Sequence, residues 1–121
     1  MKLTIKSSEI LAFMDKIQKA KAADYAKNYS NLEVPLYVCE RGDKYIAIDV
    51  MTHPSSPNYK GRSVFCFIAA EDSNTKSLGA VKMGDVLKAA GYKAPVRHAR
   101  GNIFNTDGGE AGVSLWGARY L

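Results

Sequence analysis

The sequence predicts an α+β domain, a single unit over residues 1–121 built on an antiparallel sheet of about five strands with two helices. Three observations carry that prediction. Apolar residues recur at intervals of three and four near the N-terminus, runs rich in β-branched and aromatic residues alternate with turn-forming clusters through the middle and the end, and a second short apolar face of helical period lies near residue 85. A chain of 121 residues can bury one core without a metal or a disulfide.

The elements follow in order. After a short LTI segment, Ser7, Ser8 and Glu9 precede Ile10, Leu11, Phe13, Met14 and Ile17. A serine suited to cap the free amides, an acid in the first turn and the apolar spacing predict the first helix, which the NYSN cluster between Tyr25 and Asn31 ends. Lys16 and Lys19 lie off its apolar stripe and should face water. LEVPLYVCE and KYIAIDVM, joined through Arg41-Gly42-Asp43, read as a hairpin, and Pro35 places the first of these strands late or at a sheet edge, because proline cannot donate to a ladder. THPSSPNYKG is a loop and the expected mobile element. RSVFCFIAA is a third strand with an apolar run continuous enough for burial on both faces. EDSNTKSLG reads as a connector. In VKMGDVLKAAGYKAP, Val81, Val86, Leu87 and Ala90 suggest a second helix from about Met83 to Ala90, capped by Gly91 and stopped by Pro95. NIF, the TDGGEAG turn and VSLWGARYL add two C-terminal strands.

Composition bounds the function. Apolar residues make up 46% and charged residues 24%, as in ordinary globular domains. The N-terminus has no apolar leader and no run is long enough to span a bilayer, so the expectation is a cytoplasmic protein with no membrane partner. Cys39 and Cys66, far from any Cys-x-x-Cys spacing, should be buried thiols. With only His53 and His98 as further ligands, no metal site is expected, and no cofactor. There is no nucleophile elbow and no phosphate-binding glycine loop. Asp49 is available to orient His53, a weak basis for a dyad. The one enzymatic chemistry these residues permit is metal-independent phosphodiester cleavage, with His98 as acid or base and Arg97 or Arg100 on the phosphate; the reading adopted is non-enzymatic.

The net charge of +5 is unevenly placed: +3 over residues 1–30, −1 over 31–81 and +3 over 82–121. Between Lys82 and Arg100 stand five cations, Lys82, Lys88, Lys93, Arg97 and Arg100, against Asp85 alone. A helix C-terminus would favour Lys88 and Lys93 without any ligand. Arg97, His98 and Arg100 fall beyond it, beside Gly101. Two guanidinium forks flanking an imidazole suit a phosphate or carboxylate, and the competing explanation is pairing with Asp107 or Glu110. Aromatic residues interleave with the charge: Phe104 and Trp116 are expected in the core, while Tyr92 and Tyr59, set among lysine and glycine, are expected at the surface, where a ring can stack on a base. The site so defined comprises Lys88, Tyr92, Lys93, Arg97, His98 and Arg100, binding nucleic-acid phosphates. Two alternatives stand beside it: an inhibitor docking on an acidic surface of a bacterial host or defence protein, and capture of a small nucleotide.

Two resemblances bear on this. The order helix, three strands, helix is similar to the double-stranded-RNA-binding domain, although only Lys82 stands where that family carries a lysine cluster. GDVLKAAGYKAPVRHARGNIFN, with RSVFCFI upstream and GARYL at the end, resembles a segment of small uncharacterised accessory proteins of tailed bacteriophages. That resemblance implies a setting, the bacterial cytoplasm during infection, and no particular activity.

Overall fold

The computed structural model describes residues 2–57, 61–76, 79–90, 95, 99–105, 113–114 and 117–118, the last two pairs by their backbone only. Among the described residues one helix, α1 (Ser8–Asn28), precedes nine strands: β1 (Leu36–Arg41), β2 (Tyr45–Met51), β3 (Arg62–Ala69), β4 (Ser73–Thr75), β5 (Gly79–Val81), β6 (Asp85–Leu87), β7 (Gly101–Asn102), β8 (Val113–Ser114) and β9 (Gly117–Ala118). Five of them form an antiparallel sheet in the order β1-β2-β3-β6-β7, while β4 pairs with β5 and β8 with β9. The α+β class and the five-stranded sheet agree with the sequence reading. The second helix does not exist among the described residues.

α1 forms where the apolar period predicts it. Ile10, Phe13 and Ile17 turn inward, and Lys16 and Lys19 face water. Lys21 continues the buried stripe one turn later, where desolvation lowers its pKa against the pull of Asp24. Ser7 occupies the N-cap position without bonding the helical amides; its hydroxyl instead accepts the N–H of Thr4 at 2.8 Å, closing the turn before the helix. The stripe packs on one face of the sheet against Tyr37, Ile46, Ile48, Cys66, Ile68 and Val86. Ala47, Phe67, Ala69, Val81 and Leu87 form a second cluster on the opposite face. Adjacent strand residues point to opposite faces, so β2 and β3 are buried on both sides, as the continuous run in RSVFCFIAA suggests. Each large apolar side chain so buried contributes about 2 kcal/mol.

β1 is an edge strand, and it begins after Pro35 as expected. Its outer edge is occupied by Gln18 of α1, whose amide nitrogen donates to the Pro35 carbonyl at 2.9 Å and whose amide oxygen accepts the Tyr37 N–H at 2.9 Å. One side chain thus satisfies two of the backbone groups with which a foreign strand would pair, at the start of β1.

The segment expected to be a second helix, Met83 to Ala90, is instead a turn followed by β6. Gly84 adopts φ 88°, outside the helical region, and Val86 and Leu87 pair with Ile68 and Phe67 of β3. Val86 enters the helix-side cluster and Leu87 the opposite one. Two adjacent buried residues fit a strand covered on both faces, and over so short a run periodicity does not separate that from a helix. The double-stranded-RNA-binding order, which needs that second helix, falls with it. EDSNTKSLG is likewise more than a connector, since it contains β4 and its last residue, Gly79, opens β5. At the C-terminus Asn102 of NIF ends β7 while Ile103 and Phe104 form a turn, and VSLWGARYL, expected as one strand, holds two that pair with each other, β8 and β9.

The Tyr37 ring meets Phe65 edge-on, with centroids 4.8 Å apart, but its hydroxyl is buried without a hydrogen-bond partner, and burial raises its pKa. Tyr37→Phe removes that unpaired group and keeps the ring. It should leave the melting temperature unchanged or raise it, by up to about 1 kcal/mol of stability. A loss above 1 kcal/mol in urea titration would reveal a partner for the hydroxyl.

Candidate nucleic-acid interface

The predicted basic segment is the chain that joins β6 to β7 at the edge of the sheet. Asp85 pairs with Asn102 and Val86 with Gly101, and the Arg100 N–H donates to the Val86 carbonyl at 2.8 Å. Lys88 is the residue after β6 and Arg100 the residue before β7, both half-buried, so the two stand at the ends of the joining chain. An isolated bridge between Ala89 and Pro95 prolongs the pairing beyond them. Tyr92, Lys93, Arg97 and His98 lie on the chain between these two stems, outside the described residues.

Because Lys88 follows the strand β6 and not a helix, the dipole account of it does not apply. The acid within this stretch is turned to local work: Asp85 accepts the backbone N–H of Lys82 at 2.9 Å and the Asn102 side-chain amide at 3.0 Å. The same amide also donates to the Met83 carbonyl, and the Asn102 side-chain oxygen accepts the N–H of Phe104 at 2.8 Å. Asn102 thereby ties the turn before β6 to the turn after β7.

Phe104 follows this lock. Expected in the core, it is instead 47% exposed, whereas Phe13, Phe65 and Phe67 are each exposed by 5% or less. A Cβ on Gly84 would stand 2.6 Å from Phe104 Cδ2, so the ring occupies space that only glycine leaves open. Lys82, on the same turn as Gly84, is exposed. The residue holding Phe104 in place, Asn102, carries no sequence signal of its own. Its role depends on the β6–β7 pairing.

A second charged cluster, missed as a unit in the sequence, lies on the sheet face opposite α1. Asp49 is fully buried and accepts Arg41 Nε and Nη2 at 3.0 and 2.9 Å and Arg62 Nε and Nη2 at 3.1 and 2.9 Å. Arg62 Nη1 reaches Glu40 at 3.2 Å, and these acids hold the Arg62 guanidinium more firmly protonated than usual. Asp49 therefore serves arginines rather than His53. Two cations face two acids, so internal carboxylates already take the place of an external anion, and the cluster reads as a structural clamp. Arg41, Asp49 and Arg62 come one from each of β1, β2 and β3, so the strand register had to be known before they could be grouped.

The remaining chemistry is sparse. Cys66 is buried and Cys39 half-buried, both are free thiols, and burial pushes Cys39 up to about 11 and Cys66 further up, so neither is a nucleophile at neutral pH. Among the described residues no group of three or more histidine, cysteine or acidic side chains could hold a metal ion, and no helix is long and apolar enough to cross a membrane. In the THPSSPNYKG loop the Ser55 N–H is tied to Glu33 at 3.0 Å and the Thr52 hydroxyl to the Gly61 carbonyl at 3.3 Å.

No curated protein and no solved structure matches the chain. The sequence profile of a family of unknown function, DUF7717, matches residues 3–116, and with nearly the whole chain covered the protein belongs to that family.

Proposed function

We propose that the protein is a non-enzymatic accessory protein that binds nucleic acid through its basic segment, with Lys88, Lys93, Arg97 and Arg100 on phosphates and His98 and Tyr92 beside them. The observation that carries this reading is the position of the segment: five cations and one acid lie between Lys82 and Arg100, and the stretch leaves from and returns to the sheet edge through Lys88 and Arg100. From the resemblance of GDVLKAAGYKAPVRHARGNIFN to tailed-phage accessory proteins, the proposed setting is an infected bacterial cytoplasm.

Neutralised phosphates release counterions, so affinity follows salt. With roughly four phosphates contacted, binding of a labelled oligonucleotide should weaken about 50- to 150-fold between 50 and 200 mM salt. Replacing Lys88 and Arg100 together by alanine should lower affinity for every sequence tested and flatten the salt slope. Absence of binding to single- and double-stranded DNA and RNA at low salt removes the proposal. Retention of a protein partner from nuclease-treated bacterial lysate would then favour an acidic protein surface as the target.

A further inference from the structure

We infer that Phe104 is a base-stacking platform and that the nucleic acid taken is single-stranded, an inference that rests on the basic segment binding nucleic acid. A large apolar ring kept nearly half in water is costly to a fold that buries its other phenylalanines, yet this one is held in place from two sides. Its backbone N–H is fixed by Asn102, whose amide is itself anchored to Met83 and Asp85, and its ring edge rests where Gly84 has no side chain. The ring is therefore ordered before any ligand arrives, which lowers the entropic cost of a contact.

The neighbouring charges select the ligand. Phe104 follows Arg100 by four residues, which bounds their separation at about 13 Å along extended chain. Lys82 lies on the turn that carries Gly84, at the opposite end of β6 from Lys88. Cations thus stand at both ends of β6, and the exposed ring, seated against Gly84, lies at the Lys82 end. A surface that combines positive charge with a ring open to solvent matches a strand whose phosphates and base faces are both accessible. In a duplex the base faces are stacked on each other, and a surface ring finds none to cover.

Fluorescence anisotropy on the full chain tests this with three labelled probes: an oligothymidylate of about twelve nucleotides, an abasic strand of equal length, and a duplex. The expected result is that Phe104→Ala weakens oligothymidylate binding about fivefold or more, leaves the abasic strand unaffected and leaves the salt slope unchanged. Phe104→Trp should bind as the native protein does. Phe104→Leu, which retains an apolar contact at Gly84 without an aromatic face, should behave like Phe104→Ala, separating stacking from folding. Native-like oligothymidylate binding by Phe104→Ala, an equal loss on the abasic strand, or tighter binding to duplex than to single strand overturns the inference while leaving the basic-segment reading intact. Failure of the native protein to bind any probe overturns both.

Discussion

Asp49→Ala should melt about 12–16 °C below the native protein. The carboxylate is fully buried and accepts four hydrogen bonds from two guanidinium groups, so its removal takes away the acceptor they share, while Arg62 keeps Glu40. Breaking a buried charge pair from one side costs about 3–5 kcal/mol. Here the lower part of that range applies, because the Arg41 and Arg62 side chains keep 26% and 28% of their exposure and water can partly replace the lost partner. At roughly 4 °C per kcal/mol for a domain of this size, the shift follows. Arg41→Met should cost less, since Asp49 keeps Arg62 and the methionine can still lie near Phe67, over whose ring the guanidinium now sits at 6.0 Å. Replacing Asp49, Arg41 and Arg62 together by apolar residues of similar volume should recover most of the loss, because desolvating the charges offsets much of their mutual attraction. Thermal and urea denaturation read all three variants, and an Asp49→Ala protein within 1 kcal/mol of native would show that the clamp contributes little.

Gly42→Ala should destabilise by about 3 kcal/mol or more. Gly42 stands at φ 116°, where L-residues are strained by roughly 1–3 kcal/mol, and an added Cβ would collide with the Tyr45 carbonyl oxygen and with Ile46 Cα. These are backbone atoms of β2, so relief requires moving the strand and not merely turning a side chain. β2 is buried on both faces and pairs with β1 and β3, which leaves it little room to shift. Urea titration should show the loss without a change in m-value, since the fold exposed on unfolding is the same. A substitution tolerated within 0.5 kcal/mol would mean that the β1–β2 turn can be rebuilt cheaply.

Both expectations concern contacts that sequence patterns reveal only in part. The glycine in Arg41-Gly42-Asp43 was legible as a turn, because turn chemistry is local. The arginine clamp was not, because Arg41, Asp49 and Arg62 belong to three strands and meet only once their register is set. Phe104 shows the same limit in the site: its exposure depends on Gly84 and Asn102, eighteen residues apart in the chain.

The amino-acid sequence alone determined α1, the β1–β2 hairpin, the late start of β1 after Pro35 and the doubly buried β3, since each depends on period, propensity or a turn residue acting over a few neighbours. Tertiary pairing decided the rest. Val86 and Leu87 became a strand because β3 offered them hydrogen bonds and two apolar faces, a gain that outweighs the weak helical preference of so short a segment. That pairing also carries the basic chain to the sheet edge and sets Phe104 beside Gly84.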